Sequence, residues 1–260
     1  MVREYTLGVD SFDTAAVVVR AVDYGEADRI VTLLTRVRGK VSAIARGARK
    51  SRRRFAGGLG LFAHGRATVK VRRGADLALL ESWQPLVDHT GLASDVARMA
   101  HAGYVCEIAR DLSAADHPDT EVFDLVAETL AVLSAPDRPP CVETLRVFEL
   151  RLLDALGFAP MLDRCTSCGR DDLGGSGMRF DLARGGVTCR HCHGVGPELP
   201  EAARRALLRA RGSSPSQAHE LELDPVTNAS CRDAMVAAIQ HQLGRPLRSV
   251  EFIAKVKQHP

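Results

Sequence analysis

The chain lacks the usual marks of an enzyme. It has no H-E-x-x-H pair, no G-x-S-x-G elbow and no Walker lysine, and its nine histidines form no ligand pair at helical spacing. Gly58, Gly60 and Ala63 do fit the G-x-G-x-x-A dinucleotide pattern, with Glu81 about twenty residues on. That motif needs a strand before it and a helix after it. Here a basic run precedes and a strand-like segment follows, so the pattern is set aside. No active site is expected.

Long apolar runs are also missing. None approaches the ~20 residues of a membrane span, and AAVVV (residues 15–19) is strand-sized. The start, MVREYTLGVDSFD, carries acids and no apolar stretch, so no signal peptide is expected and the expected compartment is the cytoplasm. Aromatics make up 5% of the chain, and residues 1–80 hold only Tyr5, Phe12, Tyr24, Phe55 and Phe62. Few platforms are therefore offered for stacking bases.

Positive charge, by contrast, is concentrated. The net charge of +3 hides a front segment, residues 1–80, with 16 Lys and Arg against 7 Asp and Glu. Residues 81–160 reverse this, with 5 against 14, and residues 161–260 carry 14 against 11. The extreme is RGARKSRRRF, where Arg46, Arg49, Lys50, Arg52, Arg53 and Arg54 give six cations in ten residues. Such a run repels itself and adds nothing to a core, which points to a polyanion, most commonly nucleic acid. Lys70, Arg72 and Arg73 from a neighbouring strand and its turn, and Arg36, Arg38 and Lys40 from another turn, complete the candidate nucleic-acid-binding set. With so few aromatics, this surface is expected to hold backbones more than bases, leaving the bases free to pair.

The front segment punctuates as a small β domain. AAVVVRAV, RIVTLLT and VSAIARGA are Val- and Ile-rich runs separated by short turns. In RATVKVR, Ala67, Val69 and Val71 alternate with Thr68, Lys70 and Arg72, the period of a strand with one wet face. LALLESW supplies a fifth strand. Five strands with a longer insertion between the third and fourth suit an OB-type barrel. From about residue 90 the texture turns helical: residues 95–110, then Val122, Val126, Leu130 and Leu133, then Leu145, Phe148, Leu152 and Leu156. SAPDRPP and LGFAP break these helices. Further helices are expected around residues 201–211, 230–243 and 249–257, with GSSPSQ as a loop. The expected architecture is α+β and multidomain. It comprises an extension at 1–12, an OB domain at 13–86, a helical domain at 90–160 continued at 197–260, and a metal module inserted at 161–196.

Four of the seven cysteines stand as two C-x2-C knuckles, Cys165 with Cys168 and Cys189 with Cys192. Two such knuckles at this separation supply the four thiolates of a tetrahedral zinc site. Gly169 follows the first knuckle directly; His193 stands there in the second, with Gly194 one residue later. His191 or His193 in place of a cysteine stays an alternative. A four-thiolate site is coordinatively closed, so one structural zinc per chain is expected. Cys106, Cys141 and Cys231 read as core thiols.

Three strings carry a family resemblance: DYGEADRIVTLLTRVRGKVSAIARGARKSRRRF, then RVFELRLLDALGFAPMLDRCTSCG, and finally HQLGRPLRSVEFI. Over most of the chain from about Asp13 to Ile253 it resembles the bacterial RecO family of DNA repair and recombination mediators. The resemblance implies an OB domain, a helical domain and a zinc module. It implies binding of single- and double-stranded DNA, strand annealing, and help in loading RecA onto DNA coated by single-strand binding protein. Partners implied are RecR, often RecF, and the acidic tail of single-strand binding protein, with work at the nucleoid during repair. Arg146 and Arg151, on a helix of the acidic middle, are the candidate contacts for that tail, although surface ion pairs explain them equally well. The rival reading is an RNA-binding or translation-associated protein built on the same barrel and zinc module; a remoter one is an enzyme with an unrecognised site.

Overall fold

A computed structural model describes residues 9–72, 74–137 and 141–258. Five strands close into an OB-type barrel: β1 (Val9–Tyr24), β2 (Asp28–Thr35), β3 (Gly39–Ala45), β4 (His64–Arg72) and β5 (Ala78–Val87), in the order β1-β2-β3-β5-β4. All pairings are antiparallel except β3 with β5. The period-two pattern sets the interior: Ala16, Val18, Val31, Leu33, Val41, Ala43, Ala67, Val69, Leu80 and Trp83 are buried inside the barrel. β1 begins at Val9, so its first residues pair with β4 inside the segment expected as an extension. The Asp-Ser-Phe-Asp stretch has no run of β-branched residues to announce a strand; its partner in β4 makes it one.

The outward side chains of β1 and β2 decide where the helices sit. Val17, Val19 and Leu34 are buried with the helical core, while their neighbours Val18 and Leu33 face the barrel interior. A register shift between Val18 and Arg20 leaves Val19 as an extra residue, so Val19 and Arg20 both lie on the outer side. The junction is tightened at Gly39, whose φ is +65° and where a Cβ would lie 2.0 Å from the His117 carbonyl oxygen. Only glycine fits there.

The helical domain follows a 3-10 turn at Thr90–Ser94. It contains α1 (Val96–Leu112), α2 (Thr120–Ser134), α3 (Glu143–Ala155), α4 (Glu201–Arg211), α5 (Pro225–Leu243) and α6 (Arg248–Gln258). Asp95, Asp119 and Asp224 cap α1, α2 and α5 by accepting from backbone N–H groups of the first turn. Pro225 at the start of α5 adds a turn ahead of the expected boundary at residue 230, and a 3-10 turn (Pro215–Leu221) occupies part of the expected loop. Val122, Val126, Leu130, Leu145, Phe148 and Leu152 form the core as the spacing predicts. Residues 161–196 are loop-rich but hold a short hairpin, β6 (Arg179–Asp181) with β7 (Gly186–Thr188), whose Phe180 and Val187 join the same core. Strands of three residues carry too little pattern to be seen in sequence. Among the described residues, no helix is long and apolar enough to cross a membrane.

Candidate nucleic-acid interface and metal centre

The basic run lies in the connector between β3 and β4, and it is built rather than slack. Gly47, at φ +70°, donates its N–H to Asp28 Oδ1 at 2.8 Å. The Lys50 and Ser51 N–H groups turn back to the Gly47 carbonyl, and Phe55 N–H to that of Ser51. Arg54 Nη2 closes the loop on the Arg46 carbonyl at 2.8 Å. Phe55, 2% exposed, plugs the barrel; beside it Trp83 N–H donates to the Arg54 carbonyl at 2.7 Å, and Leu59 seals the same end. A hydrophobic anchor thus holds six cations at the surface.

These cations are not equivalent. Arg49 reaches Asp23 at 3.7 Å and the Glu26 carbonyl, and Arg54 lies with its guanidinium carbon 5.3 Å from the Phe55 ring centroid. Arg46, Lys50, Arg52 and Arg53 are exposed and form no ion pair among the described residues. Asp23 is held below the usual carboxylate range, chiefly by its hydrogen bond from Arg29. On β4, Arg72 is exposed without an ion-pair partner among the described residues, while Lys70 pairs with Glu81 at 2.8 Å. Arg73 lies outside the described residues.

The metal site is assembled by two turns that face each other. The Sγ atoms of Cys165, Cys168, Cys189 and Cys192 all lie within 4.8 Å of one another. The separations Cys168–Cys189 and Cys189–Cys192 are 3.9 and 3.6 Å. Tetrahedral zinc with ~2.3 Å bonds to sulfur sets neighbouring sulfurs about 3.8 Å apart, so the cluster fits that ion. Gly169 takes φ +71° after the first knuckle, and His193 takes φ +47° at the equivalent place in the second. The position after each knuckle therefore takes a left-handed φ although the residues differ. Gly194 is needed for closeness: a Cβ there would lie 1.8 Å from Thr188 Oγ1. Burial would raise the Cys165 thiol, but N–H groups of Cys189, Cys168 and Ser167 outweigh it and draw the pKa down to about 6. Such a thiol is primed to ligate as thiolate. Four sulfurs leave no open position, and neither His191 nor His193 belongs to the cluster.

Two family models match the chain: Recombination protein O N terminal over residues 10–87 and Recombination protein O C terminal over residues 93–251. The chain belongs to the RecO family. It is 43% identical over 251 residues to the DNA repair protein RecO of Anaeromyxobacter sp. (strain K), covering 95% of this chain and 98% of that relative. With the proteins of the same name from Myxococcus xanthus (strain DK1622) and Symbiobacterium thermophilum it shares 38% and 35% identity. Those two alignments cover 95% and 93% of this chain and 99% and 96% of the relatives.

Other residues singled out from sequence lie elsewhere. Arg36, Arg38 and Lys40, around the β2–β3 turn, are not brought together with the basic run. Arg36 pairs with Asp124 of α2 at 2.9 Å, and Arg38 pairs with Asp10 while lying over the Phe12 ring. Lys40 Nζ donates to the Arg110 carbonyl of α1 at 2.6 Å; burial lowers its pKa. All three are engaged in these contacts. Cys106 and Cys231 are core thiols, but Cys141 is half-buried ahead of α3 and donates to Glu143. Arg66 was missed from the basic set. It is exposed on β4 and sits one step before Thr68 in the alternation that named Lys70 and Arg72, so the same period would have found it.

Arg146 and Arg151 are separated as well. Five residues on a helix put them about 140° apart. Arg151 reaches Glu121 of α2 at 3.6 Å on the surface. Arg146 is 4% exposed, bonded to Glu149, and lines a cavity of about 480 Å³ with Leu145, Arg232, Val236, Val250 and Ile253. Its Nε and Nη1 are buried without a hydrogen-bond partner among the described residues. Amphipathic spacing on α3 cannot report a buried cation, since it treats charged positions as wet.

Proposed function

We propose that the protein is a non-enzymatic recombination mediator that binds DNA through the β3–β4 connector and the outer face of β4. The observation that carries this reading is the anchored loop: Arg46, Lys50, Arg52 and Arg53 stand exposed with no acid partner among the described residues, and Arg66 and Arg72 are exposed on β4. Guanidinium and ammonium groups free of carboxylates neutralise phosphates and release counterions, an attraction indifferent to sequence. Two repelling strands held by their backbones on such a surface keep their bases free to pair, which is annealing. This reading extends to single- and double-stranded DNA and to help in loading RecA onto strands coated by single-strand binding protein. It includes RecR and RecF as partners, and a cytoplasmic, nucleoid-associated site of work.

The metal in this reading is one structural zinc held by Cys165, Cys168, Cys189 and Cys192. It supplies cross-linking, not chemistry. For the acidic tail of single-strand binding protein, the cavity beside Arg146 is the favoured seat. An apolar wall of Leu145, Val236 and Val250 meets the nearby Arg232 and a buried guanidinium, two of whose nitrogens have no partner among the described residues. Arg151 is left outside that seat.

The test is an annealing assay with matched DNA and RNA strands, run without nucleotide. Faster annealing of DNA than of RNA, with no ATP consumed, supports the mediator. Preference for RNA favours the translation-associated reading, and nucleotide hydrolysis abolished by a point change in this chain refutes the non-enzymatic one.

A further inference from the structure

The string HQLGRPLRSVEFI closes the family resemblance, yet neither the barrel nor the metal site uses it. Its two arginines line a cleft of about 550 Å³ between the barrel and the helical domain. The cleft is walled by Arg20 of β1, by Glu107, Arg110 and Asp111 of α1, and by Arg245 and Arg248 where α5 turns into α6. Every lining residue is charged, four positive against two negative.

The two carboxylates are already committed. Glu107 accepts from the Arg248 and Ser249 N–H groups at 3.2 and 2.8 Å, capping α6. Asp111 takes Arg110 at 2.7 Å and also Arg245. Burial would raise the Asp111 carboxyl, but these guanidiniums hold it below the usual carboxylate range. Arg20 and Arg248 are exposed and have no ion-pair partner among the described residues. The acids therefore position the wall, and two guanidiniums are left over.

We propose that this cleft is a second phosphate-binding site, through which a DNA strand lying on the basic connector continues to the junction with the helical domain. This rests on the mediator reading and adds a path to it. Continuity supports it. The irregularity at Val19 turns Arg20 onto the outer face of β1, where Val22 and Tyr24 follow it, both exposed. Tyr24 pairs with Asp28, the residue that fastens Gly47 at the start of the basic run. Four strand residues span about 13 Å, close to four nucleotides at the ~3.4 Å spacing of a duplex strand. A DNA backbone is favoured over an acidic peptide because the cleft offers no apolar wall for side chains, unlike the cavity beside Arg146.

The experiment measures the affinity of the full chain for a long single-stranded oligonucleotide across a salt series. Arg20→Ala with Arg248→Ala is compared with Arg52→Ala, Arg53→Ala and Arg54→Ala, and circular dichroism melting is recorded for each. Loss of two phosphate contacts lowers the magnitude of d log K/d log[salt] by about 1.4. The charge-reversed pair Arg20→Glu and Arg248→Glu weakens binding further. An unchanged slope in the Arg20/Arg248 variant while the connector variant loses its own overturns the second site and leaves the mediator reading standing. Unchanged slopes in both variants overturn the DNA surface of the barrel as a whole.

Discussion

Arg146 Nη2 donates to Glu149 Oε1 at 2.6 Å inside the helical domain, and neither side chain is more than 4% exposed. Tyr104 donates to the same oxygen at 2.7 Å, while Glu149 Oε2 has no partner among the described residues. Burial pushes the Glu149 carboxyl up to about 7, against the pull of Arg146 and Tyr104. A folded pKa above the unfolded value means that the native state holds the extra proton. Its stabilising contribution is full below about pH 4.5 and is lost as pH rises through about 7. At about 1.4 kcal/mol per pKa unit, this reaches up to about 3 kcal/mol.

Glu149→Gln removes that titration. Urea unfolding at several pH values is expected to show wild-type stability falling relative to the variant between pH 5 and 8. A difference that does not change with pH refutes the assignment.

Metal content checks the thiolate cluster. Protein purified without added zinc is expected to carry about one zinc per chain. Cys168 is the exposed ligand, so Cys168→Ser disturbs packing least. The variant is expected to lose the metal and to expose residues 161–196 to proteolysis, with DNA binding by the barrel largely kept. Four titratable thiols and no metal in the wild type refute it.

The connector is tested by changing Arg52, Arg53 and Arg54 together to alanine. Binding is expected to weaken for all sequences alike, and the salt slope on single strands to fall by about two units in magnitude. Melting is expected to fall only slightly: Arg52 and Arg53 are exposed charges, and Arg54 gives up its bond to the Arg46 carbonyl and its contact with Phe55, about 1 kcal/mol. Annealing should fall with binding.

Phe55 separates the anchor from the charges it carries. Phe55→Ala empties part of the barrel end and is expected to cost about 3–5 kcal/mol of stability. Its connector should also exchange amide hydrogen faster, because the Phe55 and Trp83 backbone bonds lose their cover. Slow exchange retained at Lys50 and Ser51 shows that the Gly47 turn alone orders the loop.

Period and spacing along the chain determined most elements. Strands β2 to β5, the helices at Val122, Leu145 and Glu201, and the four clustered cysteines follow from local alternation, helical faces and paired C-x2-C turns. Those signals are short-range, and a few residues suffice to write them. What the tertiary structure alone decided is where each charge goes. Arg36, Lys40 and Arg52 look alike in sequence, yet one meets Asp124, one meets a backbone carbonyl of α1, and one is exposed with no acid partner among the described residues. The extra residue at Val19 puts Arg20 in a cleft with two arginines more than two hundred residues away. Arg146 is buried because α1 and α5 close over it. A cation's role depends on which acids and which solvent it meets, and those are supplied by segments remote in the chain.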